Sequence, residues 1–280
     1  MFEDLKPHIQ DLRKRLMIAV GTLIVVFIAC FNFWREIFEY IKKPIEGAFD
    51  GQVQGMLIQT APAEGIIVAL KVSFFVALGL SIPVIFWQIW AFVAPGLYKH
   101  EKKIVLPFVF FGSLMFFCGV AFAYFLAFPY AIKYILMFGN DEFTANITAA
   151  NYITFFTRFV LGFGIAFELP VLAFFLAKID LITDQTLKRN FKYAIVGIFI
   201  IAAIITPPDV LSQVLMALPL IFLYGLSILI VAWVNPAPKD PQKEATESEK
   251  ESQEAGEQEP IKLPQSKKLP PKKLPSKKKS

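Results

Sequence analysis

The sequence predicts an all-α protein that crosses a membrane six times, with both termini on the cytoplasmic side. Three observations carry that reading. Hydrophobic residues make up 56% of the 280 and aromatics 15%, with 30 Phe, whereas an ordinary soluble domain is about 45–50% apolar. The apolar residues gather into runs near the roughly 20 that carry a helix across a hydrocarbon core of about 30 Å. Lys and Arg are unevenly shared between alternate connections, which is the bias that orients membrane proteins.

The runs cover about residues 16–33, 66–93, 104–128, 153–177, 193–206 and 210–234. All six read as helices, because an isolated strand cannot satisfy its backbone in lipid. The alternating ten-residue strands of an outer-membrane barrel are absent. The first run is long for a cleaved signal peptide, and it is followed by Asn32-Phe33-Trp34-Arg35 instead of a small-residue cleavage pattern.

One side of the membrane carries residues 1–15, 94–103 and 178–192, with eleven basic residues. The other carries Arg35, Lys42, Lys43 and Lys133. The basic excess marks the cytoplasm. Lys71 and Arg158 fall near the outer ends of the second and fourth runs, where long side chains snorkel to the interface.

On the outer side, residues 34–65 form a long connection punctuated by Pro44, Gly47, Gly51, Gly55 and Pro62. Within it Arg35–Lys43 is amphipathic and is predicted to form a surface or capping helix. Residues 129–152 form a second outer loop, and Thr206-Pro207-Pro208-Asp209 a third, tight one. The fifth run is short, about 21 Å of helix at 1.5 Å per residue. Either this hairpin is sunken and thins the bilayer, or the fifth helix begins earlier, at Phe191, with Lys192 snorkelling. At the N-terminus, Leu5, Ile9, Leu12 and Leu16 form one stripe of an amphipathic cytoplasmic helix.

The chain is expected to divide into a six-helix domain, 1–235, and a disordered charged cytoplasmic tail, 236–280. The tail is poor in apolar residues, acidic first and then basic with Pro spacing (KLPQSKKLPPKKLPSKKK, 262–279). It reads as solvated and held near anionic headgroups, in preference to a nucleic-acid-binding segment.

No enzyme chemistry is evident. There is no GxxxxGK[ST] loop and no nucleophile–base pair. The two Cys, Cys30 and Cys118, fall in apolar runs, and His8 and His100 are far apart in sequence, so neither a metal site nor a cofactor is expected. The informative polar residues are few. Glu168 lies in the apolar run 153–177. A carboxyl there costs about 2.5–3.5 kcal/mol on insertion scales, so it is a functional candidate facing protein or water. The plainer alternative is a protonated or hydrogen-bonded packing residue. Gly162 and Gly164 beside it suit close helix packing. Glu101 stands in an otherwise basic cytoplasmic loop, where the plainer alternative is a surface ion pair with Lys102 or Lys103.

Four segments together resemble the TatC family, the multispanning receptor subunit of the twin-arginine protein translocase. They are HIQDLRKRL (8–16), FVAPGLYKHEKK (92–103), FGIAFELP (163–170) and TPPDVLSQ (206–213), and they follow the family's order and spacing. The resemblance implies a cup-shaped bundle in the cytoplasmic (inner) membrane of a prokaryote. It implies a receptor for twin-arginine signal peptides within a translocase that exports folded proteins on the proton-motive force. The implied partners are single-span TatA and, where present, TatB subunits, further copies of the chain, and membrane lipid. By motif match, Glu101 corresponds to the principal arginine-binding carboxylate and Asp11 to a second acid, commonly Glu in the family. Arg13 and His100 fall in the same signal-peptide-binding motifs. Glu168, Thr206, Asp209 and Gln213 correspond to intramembrane polar positions for partner docking. A guanidinium binds carboxylate in a two-pronged fork that lysine cannot reproduce, so Glu101 and Asp11 taking one arginine each would account for a paired requirement. The competing reading is a secondary transporter with Glu168 as its ion site, against which stand the lack of an inverted repeat and of paired broken helices. A passive membrane-bending scaffold gives Glu101 no role.

Overall fold

The computed structural model describes residues 2–49, 55–93, 105–138, 145–206 and 209–236. All lie in one compact unit, Met1–Ala237. The tail from 237 on lies outside the described residues.

The architecture is helical. Helix α1 (Phe2–Asn32) runs into α2 (Trp34–Phe49), followed by a short strand β1 (Gly55–Ile58) and then α3 (Glu64–Val93). Helix α4 (Val105–Phe122) continues through one π-turn (Ala123–Ala127) into α5 (Phe128–Met137). Strand β2 (Ala145–Thr148) leads into α6 (Ala149–Ala166), and then come α7 (Leu169–Lys178), α8 (Asp184–Ile205) and α9 (Val210–Val234). Among the described residues, five stretches are long and apolar enough to cross a membrane: His8–Asn32, Glu64–Phe92, Leu106–Met137, Ala149–Lys178 and Val210–Val234.

Helix α8 is the exception. It begins at Asp184, well before Phe191, and its first turns (DQTLKRNFK) are polar, so its apolar part is short although the helix is not. Three further boundaries differ from the sequence reading. The third run does not end at 128: Phe128 N–H donates to the Ala123 carbonyl, five residues back. That wider turn lets Pro129 sit at the start of α5 without clashing with the preceding turn. The fourth run is two helices, broken at Phe167–Glu168 ahead of Pro170. The N-terminal amphipathic segment is continuous with the first span, and its Ile9, Leu12 and Leu16 are exposed.

The outer segment Arg35–Lys43 is helical as expected, within α2. Ile41, Ile45 and Ala48, four and three residues apart, form its buried face. Pro44 removes the N–H that the Tyr40 carbonyl would accept from, and the Tyr124 hydroxyl donates to that carbonyl instead, at 2.7 Å. One residue on, the buried Tyr152 hydroxyl donates to the Ile41 carbonyl at 2.6 Å. The core below is aromatic. Phe156, Phe159 and Phe163 share one face of α6, and Phe128 packs edge-on against Phe156 and Phe159 at 5.0 and 5.5 Å.

Strands β1 and β2 were not anticipated. They pair in parallel, Gly55 opposite Ala145 through Ile58 opposite Thr148. Each leads into a helix that begins at the same end of the bundle, β2 directly and β1 through the turn at 59–63, which is why they run parallel. Glu64 locks this corner. Its Oε2 accepts from Thr60 N (2.6 Å), Thr60 Oγ1 (3.1 Å) and Ala61 N (3.3 Å), and its Oε1 from Ala150 N (2.8 Å). One carboxylate thus closes the turn before α3 and caps α6, where free N–H groups favour an anion.

Glu64→Ala is expected to lower the melting temperature in detergent, because it removes the acceptor of part-buried N–H groups at two helix starts. Lys42→Ala is the comparison. Lys42 bridges Glu39 and Glu46 at 2.7 and 3.2 Å on an exposed face, and its loss should leave the melting temperature within error. An unchanged melting temperature in Glu64→Ala would show that the corner is not needed for stability.

Candidate functional site

The sequence candidates fall at three places. The first is the end of the bundle where α1 begins and α3 ends. The His8 ring stacks on Phe92 with centroids 4.4 Å apart, so α1 and α3 run antiparallel and the start of α1 is tied to the lead-in of the 94–104 connection. Asp11, one turn beyond His8, is half-buried. Its Oδ2 accepts from Arg15 Nε at 2.7 Å, an i to i+4 pair on α1. An arginine of the protein's own helix therefore already occupies part of this carboxylate. Arg13 is exposed on the same helix. Glu101 and His100 lie outside the described residues.

The second place is the break between α6 and α7. Glu168 is 6% exposed. Its Oε2 lies against Gly112 of α4, where a side-chain Cβ would come within 3.1 Å of it. Its Oε1 is buried with no hydrogen-bond partner among the described residues. The break itself follows from Pro170, which has no N–H for the Ala166 carbonyl. Close packing lets α4 and α6 approach at this level. A Cβ on Gly119 would meet the Phe163 carbonyl oxygen at 2.7 Å, and one on Gly164 would meet Phe116 Cε2 at 2.7 Å. Glu168 thus faces protein, between α4 and the start of α7.

The third place is the α8–α9 hairpin. Thr206 is buried and its hydroxyl donates to the Ala202 carbonyl at 2.9 Å, closing α8. Asp209 caps α9, its Oδ1 accepting from Ser212 N at 2.7 Å. Its Oδ2 is buried and has no hydrogen-bond partner among the described residues. Gln213 Nε2 donates to the Phe199 carbonyl at 3.0 Å, tying α9 back to α8. Pro207 and Pro208 lie outside the described residues. The three polar side chains named from the sequence therefore form one unit. Glu168 is not part of it, because its neighbours are on α4.

Sequence reasoning missed Glu64, the best-satisfied acid of the membrane region. A signal was present: an acid at the first position of an apolar run, directly after a Pro-containing turn, is where a helix start wants negative charge. No described group of His, Cys, Asp or Glu could hold a metal ion.

This geometry can be set beside known proteins. A model of the family described as "Sec-independent protein translocase protein (TatC)" matches residues 7–219. The Sec-independent protein translocase protein TatC of Helicobacter pylori strain J99 is 61% identical, over 90% of this chain and 98% of that protein. Its namesake in Campylobacter jejuni is 51% identical, over 87% of this chain and all of that protein. Among solved structures, a crystal structure of the twin-arginine translocase receptor TatC superposes with a TM-score of 0.74 at 37% identity, over 81% of this chain and 99% of that one.

Asp209→Ala is expected to cost about 1 kcal/mol of stability through the lost cap. Asp209→Ser, which keeps a capping oxygen, should stay near the native value. Thermal unfolding of the two variants checks it, and equal losses would assign the effect to something other than the cap.

Proposed function

This chain belongs to the TatC family, and from that premise we propose that it is the signal-peptide receptor of its translocase, with Glu101 as the principal arginine-binding group. Family membership makes it a multi-pass membrane component of the Sec-independent protein translocase, which works with other Tat subunits and is not an enzyme. The single observation that supports the finer reading is the family-like segment FVAPGLYKHEKK (92–103) that holds Glu101. The match with Helicobacter pylori extends over 251 residues at 61% identity, and the 92–103 segment lies within the stretch matched by the family.

On this reading α8 is a sixth span, with its polar first turns at the cytoplasmic surface and Lys192 reaching out from the lipid. Both termini are then cytoplasmic, and residues 1–235 form the membrane domain. The tail, 236–280, is a charged segment held at the anionic surface. Paired arginines of a cargo signal peptide meet Glu101 and Asp11. The Asp11–Arg15 pair supports this, since its carboxylate accepts a guanidinium at 2.7 Å. An incoming arginine must displace or share it, which raises the threshold for a lone cation and favours discrimination over raw affinity. Arg13 and His100 flank the two acids in sequence, and the positive charge of Arg13 repels unpaired cations. TatA and, where present, TatB dock at the polar positions within the membrane, namely Glu168, Thr206, Asp209 and Gln213. The two orphaned carboxylate oxygens, Glu168 Oε1 and Asp209 Oδ2, supply acceptors for a partner's donor. Further copies of the chain assemble with it in the cytoplasmic membrane of a prokaryote, and transport draws on the proton-motive force. A secondary transporter is not supported, because the relatives that align along most of the chain are protein-translocase components.

Glu101→Ala is expected to abolish the preference for an Arg-Arg over a Lys-Lys signal peptide, measured by titration of labelled peptides against the full chain in detergent, with folding and insertion unchanged. Asp11→Ala should weaken Arg-Arg binding less, and Asp11→Glu should be tolerated. Equal affinities for both peptides in the native protein would remove the site. Glu168→Leu is expected to impair transport with modest loss of stability, whereas Glu168→Gln keeps much of it. Full activity in the Leu variant would rule out a docking role for the carboxyl.

A further inference from the structure

An open groove of about 980 Å³ lies along α4, α7 and α9, at the upper end of the roughly 300–1,000 Å³ of ligand clefts. Pro107, Lys178 and Trp233 stand at one end of it, where α4 begins and where α7 and α9 finish. Phe122, Phe167 and Pro219 stand at the other, where α4 passes into its π-turn and α6 breaks from α7. Between Pro219 and Trp233, α9 rises about 21 Å at 1.5 Å per residue. The groove therefore enters from one interface of a roughly 30 Å core and stops past its middle.

Its lining is apolar apart from Lys178. Lys178 is exposed at the last turn of α7 and forms no ion pair among the described residues. Of the acids that follow it in the chain, Asp180 is exposed and Asp184 is buried and bonded to Lys188 at 2.7 Å; neither lines the groove. Trp233, exposed at the same end, has the amphipathic ring that settles at headgroup level. A C-terminal lysine by itself reflects no more than the helix dipole. A lone cation and a tryptophan at the mouth of an alkyl-lined trough point to a ligand with a charged head and an apolar body.

We propose that this groove binds one anionic phospholipid of the leaflet on the Lys178 side, with its phosphate at Lys178 and its acyl chains along α7 and α9 down to Phe122 and Phe167. Length argues for a lipid over a partner's transmembrane helix, which would need a channel about 30 Å long and would run into the aromatic floor. The missing polar atoms argue the same way: no side chain lining the groove below Lys178 can bond to a polar side chain of a partner. Lys178, the charged residue among those that line the groove, selects an anionic headgroup, as found in cytoplasmic leaflets. The inference uses the membrane setting but neither Glu101 nor Glu168, so its failure would leave the signal-peptide reading standing.

The test is native mass spectrometry of the full chain in mild detergent, with an equimolar mixture of phosphatidylglycerol and phosphatidylcholine. One phosphatidylglycerol should be retained per chain, preferred by about fivefold, the weight of one basic side chain at an anionic surface. Lys178→Gln should bring the preference to about one, and Lys178→Arg should keep it. Leu226→Trp, which fills the groove without touching the charge, should lower retention of both lipids. Glycerol phosphate, which lacks acyl chains, should displace nothing. No preference in the native protein, an unchanged preference in Lys178→Gln, or displacement by glycerol phosphate overturns the proposal. So does photocrosslinking from position 226 in native membranes that recovers a protein segment instead of lipid.

Discussion

The structure depends on one constraint: within lipid every backbone polar group must find its partner inside the protein. This chain strains the constraint by placing prolines inside helices, both in the spans and in the amphipathic outer helix α2. At Pro44 the orphaned Tyr40 carbonyl takes a hydroxyl from Tyr124, 84 residues away, and that bond holds α2 down on the π-turn between α4 and α5. At Pro129 the helix widens by one residue, so that Phe128 reaches back to Ala123. At Pro170 no such repair is made, and the helix breaks into α6 and α7. Pro83 and Pro219 also lie inside helices, which continue past them; the proline at which the helix breaks is the one beside Glu168. The break turns a mid-helix acid into the residue before a helix start, where its carboxyl is buried against α4 with one oxygen free.

The polar residues of the membrane region sort by how fully they are satisfied. Glu64 has four donors and joins two helix starts to a strand corner. Tyr152 and Tyr124 each spend their hydroxyl on α2, and Thr206 and Gln213 each bond a carbonyl of α8. These groups hold the fold together. Glu168 and Asp209 each retain a buried oxygen without a donor among the described residues. The hydroxyls of Ser81 and Ser113 are likewise buried without a partner among the described residues, and an unpaired buried polar group costs about 1–3 kcal/mol. That asymmetry separates the two acids from Glu64, although all three are buried or half-buried carboxylates in apolar helices.

How much was legible in the sequence follows the same physics. The spans were readable because an apolar run near 20 residues matches the thickness of a bilayer and little else, and α2 because its buried face repeats at helical spacing. The ends were not readable. The third span passes a proline that usually stops a helix, and only a π-turn, invisible to composition, carries it on to Met137. The fifth helix begins at Asp184 because a helix can extend out of lipid into water with polar residues, whereas the hydropathy signal stops at the interface. Strands β1 and β2 are four residues each and pair across a separation of 90 positions, so no local pattern announces them. At the site, Asp209 and Gln213 were readable as an acid and an amide out of place. The Asp11–Arg15 pair is written in the i to i+4 spacing, but reading Asp11 as a free carboxylate leaves that partner out.

That pair bears on how a receptor of two acids could discriminate. A carboxylate left bare at a membrane surface would attract any cation, lysine included, and a surface attraction of that kind is small and screened by salt. A carboxylate already bonded through one oxygen to Arg15 Nε offers only its remaining capacity. A point-charge ammonium gains little there, while a guanidinium can bring two parallel donors and compete for the fork. With His8 stacked on Phe92, the pair is tied to the end of α3, from which the connection carrying Glu101 departs. On the proposed reading, the selectivity for arginine therefore begins in the receptor's own arginine, which any ligand must match in geometry before it can replace.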